Sequence, residues 1–264
     1  MGTSSIYDGP KDRNPLLPDG FDEEYEPLDL DETENQNDSL DSLWQTTKTA
    51  MSQYITGKHS NRGRIARSHT RALGGANNAA RSATSGTKST VSLGKILSSI
   101  VTEGIHKTLN NLKISFSGKS VEALFSQLVN EVSGHSNSKE DIVAKNASIE
   151  ALSQLYEFVE ENGMELQALE RIDEEFFNKV MSTFISSYLF ERLLNDLQSR
   201  FEKYAQNIEV ATTKEREMRD YIYEATEVEL KEINFSQIDY KSQSVESFIE
   251  GIYRDCYEVL EGYL

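Results

Sequence analysis

Cysteine, histidine and proline are scarce in this chain, and each scarcity closes off a class of structure or function. The single cysteine, Cys256, excludes an internal disulfide. Four scattered histidines, His59, His69, His106 and His135, cannot complete a cysteine-rich zinc site with it. No two of them stand four residues apart around a Glu, so they read as solvent-exposed or capping side chains. Cys256 falls on the apolar face of the last helical segment and reads as a buried core thiol. No window approaches the roughly twenty apolar residues needed to cross a bilayer, and no basic-then-apolar leader opens the chain. The expectation is a cytoplasmic protein with no membrane partner.

A phosphate-cradling loop is missing as well. Gly86-Thr87-Lys88-Ser89 lacks the upstream glycine, and Gly94-Lys95 is followed by Ile96. Glu160-Glu161 and Asp173-Glu174-Glu175 could serve as acid and base, but such runs are ordinary on solvated helix faces. The sequence therefore names no catalytic and no metal-binding residue. It reads as a partner protein and not as an enzyme.

What is present is charge, sorted into blocks. Residues 1–43 hold two basic residues against thirteen acidic ones, a net −11. Residues 44–113 reverse this, with eleven Lys and Arg against Glu103 alone, a net +10. The total of −17 leaves −16 for residues 114–264. Such alternation fits acidic ends that shield a basic middle, or a middle that meets an acidic partner.

All four prolines, Pro10, Pro15, Pro18 and Pro27, lie in the first block, with Gly2, Gly9 and Gly20 and a run of acids to Asp41. Together with an apolar fraction of only 37%, this predicts an extended, disordered arm over 1–37. A basic Gly/Ala-rich helical region follows over 38–113, and an acidic helical domain over 114–264. Period-2 alternation is nearly absent, so the fold class is all-α, a multi-helix body behind the arm.

The helices announce themselves by periodicity and caps. Asp38 or Ser39 caps a helix carrying Leu40, Leu43, Trp44, Met51, Tyr54 and Ile55 and ending before Gly57. A second covers Arg62 to Leu73, stopped by Gly74-Gly75, with Arg64, Arg67 and Arg71 on one exposed basic face. Residues 75–94, rich in Gly, Ala, Ser, Thr and Asn, fit either close helix packing or a flexible strip. Leu93, Ile96, Leu97, Ile100, Val101, Ile105 and Leu109 give one longer helix through Gly104. Val121 to Val132 forms the next, ending at Gly134. Ser138 and Asp141 form a capping box for a helix to Glu161, stopped by Asn162-Gly163. The most apolar stretch, Asp173 to Tyr204, reads as the central helix. Thr212 with Glu215 opens another helix through Met218, Ile222 and Val228, and Ser244 opens the last, with Val245, Phe248, Ile249, Ile252, Tyr253, Cys256, Tyr257 and Leu260.

Arg62, Arg64, Arg67, Arg71 and Arg81 could grip phosphates by charge. Against that reading, no aromatic residue is interleaved from His59 to Thr90 and the whole chain repels polyanions. An acidic protein surface or intramolecular pairing is preferred. At the other end of the argument, Met1-Gly2-Thr3-Ser4 should lose its initiator methionine and expose the Gly2 amine, whose ordinary pKa of about 7.7–8 makes it a usable nucleophile near neutrality. Ile6 stands where N-myristoylation needs Ser or Thr.

Taken in order, several short blocks resemble the QatB family, small associated proteins of a four-component anti-phage defence system. They are Met1-Gly2-Thr3-Ser4, Gly9-Pro10 and Pro15-Leu16-Leu17-Pro18; then Met51 to Ile55, Arg71 to Ala76 and Ala79-Ala80-Arg81; then Phe184 to Leu194, Arg219-Asp220-Tyr221-Ile222 and Ile252-Tyr253. Where the family often carries further glycines and a Pro-Pro-Trp, this chain has Asp12-Arg13-Asn14 and Asp19-Gly20-Phe21.

The resemblance implies a protein that works beside a QueC-like enzyme, a KAP-type P-loop ATPase and a TatD-like nuclease, with catalysis in those partners. It implies that Gly2 accepts a deazaguanine from the QueC-like enzyme, as a covalent adduct and without any other cofactor. Thr3, Ser4, Gly9, Pro10, Pro15, Leu16, Leu17 and Pro18 would then be the residues that partner recognises. The rival expectation is a nucleic-acid-binding or scaffolding subunit that recruits the nuclease and ATPase through the basic region 58–95.

Overall fold

The computed structural model describes residues 39–134, 138–205 and 207–262. The predicted arm over 1–37, including the Asp38 cap, lies outside the described residues. Ten α-helices and two 3-10 turns make up the described residues, with no strand among them. They are α1 (Leu40–Ile55), α2 (Arg62–Ala72), α3 (Gly75–Ser82), α4 (Thr84–Glu103), α5 (Ile105–Asn111), α6 (Val121–Ser133), α7 (Lys139–Glu161), α8 (Glu174–Tyr204), α9 (Ile208–Leu230) and α10 (Val245–Glu261).

The local signals explain most of the boundaries. Ser39 and Asn61 each accept a backbone N–H in the first turn of α1 and α2, from Ser42 and Arg64. The Ser138–Asp141 capping box opens α7, and Asp173 caps α8 through the Phe176 N–H at 2.8 Å. α8 is the spine: Phe177, Val180, Met181, Phe184, Ile185, Tyr188, Leu189, Leu193 and Leu197 are all buried along its length. It packs against α7 on one side and α9 on the other, with α1 and α4 also against it.

Three expectations change. α4 does not run through Gly104, which takes φ +89°, ψ 154°; there the Glu170 carboxylate accepts the Ile105 N–H at 2.9 Å and α5 starts afresh. α9 begins at Ile208 behind an Asn207 cap, so Thr212 and Glu215 lie inside the helix. Val101, Val228 and Phe248, assigned to apolar stripes, are exposed at their helix surfaces.

The Gly/Ala-rich block resolves as close packing. Ala76, Ala79, Ala80 and Ala83 are buried where α3 meets α10 and its neighbours. In α4, a Cβ on Gly86 would sit 2.6 Å from the Tyr188 ring and one on Gly94 would sit 2.1 Å from the Tyr240 ring. Two tyrosine rings thus occupy the space of two missing side chains, and α4 lies closer to its neighbours than any other residue allows. The Tyr188 hydroxyl, buried with its ring, donates to Glu140 at 2.9 Å, while Tyr253 shares a buried hydrogen bond with Thr90 at 3.0 Å. Leaving either hydroxyl unpaired would cost about 1–3 kcal/mol. No helix among the described residues is long and apolar enough to cross a membrane.

Two glycine substitutions should therefore move stability in opposite directions. Gly86→Ala forces a methyl into the Tyr188 ring and should lower stability by about 1–3 kcal/mol. Gly251→Ala, inside α10 with nothing within 4 Å of the new Cβ, should raise it by about 0.5–1 kcal/mol. Thermal and urea unfolding of the two variants checks both signs.

Candidate interaction surfaces

The residues expected to carry recognition at the start of the chain, Gly2, Thr3, Ser4, Gly9, Pro10, Pro15, Leu16, Leu17 and Pro18, lie outside the described residues, as does His135. The described surfaces begin with the arginines of α2 and α3. Arg62, Arg64 and Arg71 find partners on their own chain, while Arg67 and Arg81 are exposed. Arg62 donates to the Glu217 carbonyl at 3.2 Å and lies over the Tyr221 ring at 5.9 Å, joining α2 to α9. Arg64 reaches His59 at 3.4 Å, its Nε buried without a hydrogen-bond acceptor. Arg67 lies across the Gly262 backbone at the end of α10, where the helix carbonyls favour a cation. Arg71 faces the buried carboxylate of Glu261 at 3.8 Å. Arg81, like Arg67, is exposed. The face expected to be basic and exposed thus keeps Arg67 exposed and the Arg71 side chain 42% exposed, while Arg62 and Arg71 reach α9 and α10, 155 and 190 residues away in the chain.

His69 corrects another expectation. It is 3% exposed, its Nε2 is 2.9 Å from the Asp196 carboxylate of α8, and Trp44 of α1 packs edge-on against its ring at 5.8 Å. It ties three helices together. His106, by contrast, is exposed and stacks on Phe116. Cys256 is buried, as its position in the stripe implied, and burial pushes its thiol well above the ordinary range. Among the described residues, no three His, Cys, Asp or Glu side chains gather in a way that could hold a metal.

A feature with no local sequence signature organises the basic block. Helices α3, α4 and α5 start behind Gly74, Ala83 and Gly104, none of which can cap with a side chain. A carboxylate from a distant helix or turn does it instead. Glu261 accepts the Ala76 N–H at 3.0 Å, Glu140 accepts the Ser85 N–H at 2.8 Å, and Glu170 accepts the Ile105 N–H at 2.9 Å. Asp141 also accepts the Ser85 hydroxyl at 2.7 Å. Only the absence of Ser, Thr, Asp or Asn at the three starts hints at this. A second buried tie, Arg192 of α8, donates to the Ala79 carbonyl at 2.9 Å, the Ser82 hydroxyl at 2.7 Å and the Tyr257 hydroxyl at 3.1 Å.

Two open faces remain, and they differ in charge. The outer side of α4 carries Thr84, Lys88, Ser92, Lys95, Ser99 and Thr102, spaced by threes and fours, with Val101 and Glu103 also exposed at its end. The stretch Gly86-Thr87-Lys88-Ser89 lies within the first two turns of this helix, so it is not a phosphate loop. α7, α8 and α9 in turn bring together Glu150, Glu191 and Glu215. Glu191 accepts from Asn146 at 2.8 Å and is half-buried; burial first, then the Glu150 and Glu215 charges, raise its pKa, opposed by Asn146 and Arg219. Burial also raises Glu215. Ile142 and Ile149, seven residues apart on α7, are exposed beside this acidic strip.

The family model of the Qat anti-phage system associated protein QatB matches residues 74–260. The matched span runs from the start of α3 nearly to the end of α10. No curated protein and no solved structure matches the chain.

Two sets of substitutions test these electrostatics. Glu140→Ala removes the cap of α4 and strands the Tyr188 hydroxyl, so it should lower stability by about 2–4 kcal/mol, whereas Glu140→Gln, which still accepts, should lose less. For Glu191 the folded pKa lies above the unfolded one, so the folded state binds the proton more tightly and stability falls as pH rises through that window. Glu191→Gln should therefore raise the melting temperature at neutral pH, and the gain should vanish once the wild-type carboxyl is protonated in acid; melting curves across pH measure it.

Proposed function

The chain belongs to the QatB family of proteins associated with the Qat anti-phage system, and from that membership we propose that it is a non-enzymatic, cytoplasmic component whose N-terminal glycine is a modification substrate. Its main partner in this reading is a QueC-like enzyme, with a KAP-type ATPase and a TatD-like nuclease completing the system. The family match across the helical body carries the assignment to defence. The block Met1-Gly2-Thr3-Ser4 carries the acceptor role.

The chemistry asks little of the chain itself. A carboxy-deazaguanine, activated with ATP by the partner, presents an electrophilic carbonyl carbon. The Gly2 nitrogen attacks it, the C–N bond forms, the activating group leaves and the amine gives up a proton. A glycine at this place offers an amine with no side chain to hinder approach, and its ordinary pKa leaves a sizeable free-base fraction near neutrality. Thr3 and Ser4, with Gly9-Pro10 and Pro15-Leu16-Leu17-Pro18, would supply the segment the partner grips. A passive body fits this role. Its histidine–carboxylate pair, its thiol and its capping glutamates are all committed to holding helices together.

The test is the mass of the intact protein and of its N-terminal peptide after expression with and without the QueC-like partner. The expected result is a partner-dependent addition located on Gly2, lost when the N-terminus is extended or blocked. An unmodified glycine under both conditions would overturn the acceptor role and leave the family assignment untouched.

A further inference from the structure

The outer face of α4 is a cationic surface that folding does not consume. From Trp44 to Thr102 the chain has nine Lys and Arg and no Asp or Glu. Arg62 and Arg71 turn to partners in α9 and α10, Arg64 reaches His59, and Arg67 lies exposed near Gly262. Arg81, Lys88 and Lys95 are exposed, and no salt bridge of the described residues involves them. Lys88 and Lys95 stand seven residues apart on α4, about 10.5 Å along its axis. Between and beyond them the strip holds only hydroxyl side chains, Thr84, Ser92, Ser99 and Thr102, over about 27 Å.

We infer that this strip, with Arg81 at its head, is a docking surface for the phosphate backbone of a nucleic-acid duplex. Lys, Arg, Ser and Thr are the side chains that contact phosphate oxygens without reading bases. Short hydroxyl side chains let a backbone approach the helix closely. The alternative of an acidic protein fits less well, because protein interfaces draw their energy from buried aromatic and large apolar anchors. No large apolar side chain is exposed between residues 41 and 100, and residues 75–103 contain no aromatic. The same lack of aromatics favours a duplex over a single strand, whose bases would need stacking platforms.

The net charge of −17 does not forbid this. At physiological salt a charge is screened over about 8–10 Å, so acids farther than that from the strip are felt weakly there. Glu103 follows Thr102 at one end, Glu131 lies beside Ser92, whose hydroxyl donates to its carbonyl at 3.1 Å, and two further acids lie at the Thr84 end. There Glu140 is held by the Ser85 N–H and the Tyr188 hydroxyl, and Asp141 by the Ser85 hydroxyl. They bound the surface on that side.

The experiment is fluorescence anisotropy of a short labelled DNA duplex titrated with the full-length chain at several salt concentrations. Three phosphate contacts predict a log–log salt slope near −2.7, so affinity should fall about 40-fold between 50 and 200 mM salt. The triple variant Arg81→Ala, Lys88→Ala, Lys95→Ala should bind at least tenfold more weakly at low salt, with a flattened slope and an unchanged melting temperature. Lys88→Arg with Lys95→Arg should retain binding. Arg62→Ala with Arg71→Ala should lower the melting temperature and leave the slope as it was. The inference fails if the wild type does not bind the duplex at low salt, or if the triple variant binds as well as the wild type. It also fails if a poly-glutamate peptide binds this surface while the duplex does not.

Discussion

The structure of the basic block depends on carboxylates it does not contain. Helices α3, α4 and α5 begin at Gly74, Ala83 and Gly104, where the first-turn N–H groups have no side chain of their own to bond. Glu261, Glu140 and Glu170 fill those positions from outside. A carboxylate at a helix start is favoured twice, by the hydrogen bond and by the positive end of the helix dipole. The consequence spreads outward from Glu140, because the same oxygen that caps α4 also receives the Tyr188 hydroxyl. That fixes the ring of Tyr188, and the ring fixes how near α4 must come, which only a glycine at position 86 permits. Cap, ring and glycine are one constraint seen at three places.

This account gives the charge blocks a structural meaning. A basic stretch with a single acid and an acidic stretch of net −16 look like two parts of a chain that repel or attract partners. In the fold they are largely complementary to one another. Arg71 faces Glu261, His69 faces Asp196, Arg62 holds the backbone beside Glu217, and Arg67 lies at the carboxyl end of α10. The charge reversal near residue 113 is not a seam: α4 packs directly on α6, α7, α8 and α10. Surface ion pairs of this kind are individually weak, so the register comes mainly from the buried members, His69 and Glu261, which cannot be left unpaired.

Much of the fold was legible in the sequence because helices leave local marks. Ser39, Asn61, Ser138 and Asp173 act where their chemistry predicts, and the long apolar stripe of α8 could only be a central helix. What stayed hidden depended on residues far away. Gly104 looked tolerable inside a helix because its local cost is only about 1 kcal/mol; Glu170 at the next N–H makes a new start there. The Gly/Ala stretch fitted either a loose strip or close packing until Tyr188 and Tyr240 supplied the opposing surface. Likewise, periodicity placed Arg64, Arg67 and Arg71 on one face but could not show which wall that face would meet. The acceptor role of Gly2 rested on family resemblance, since a small residue after an initiator methionine is common to many chains.

The two faces that remain open follow from the same bookkeeping of charge. Positive charge survives along the outer strip of α4, where Arg81, Lys88 and Lys95 are exposed. Negative charge survives where α7, α8 and α9 bring Glu150, Glu191 and Glu215 together faster than Arg219 can balance them. Glu191 is strained toward its protonated form there, and the nearby exposed Ile142 and Ile149 leave apolar surface beside it. A body with opposite charges sorted onto separate helices can hold unlike partners at once without either competing for the other's surface. For a protein associated with the Qat anti-phage system, such separation keeps two contact surfaces independent of each other.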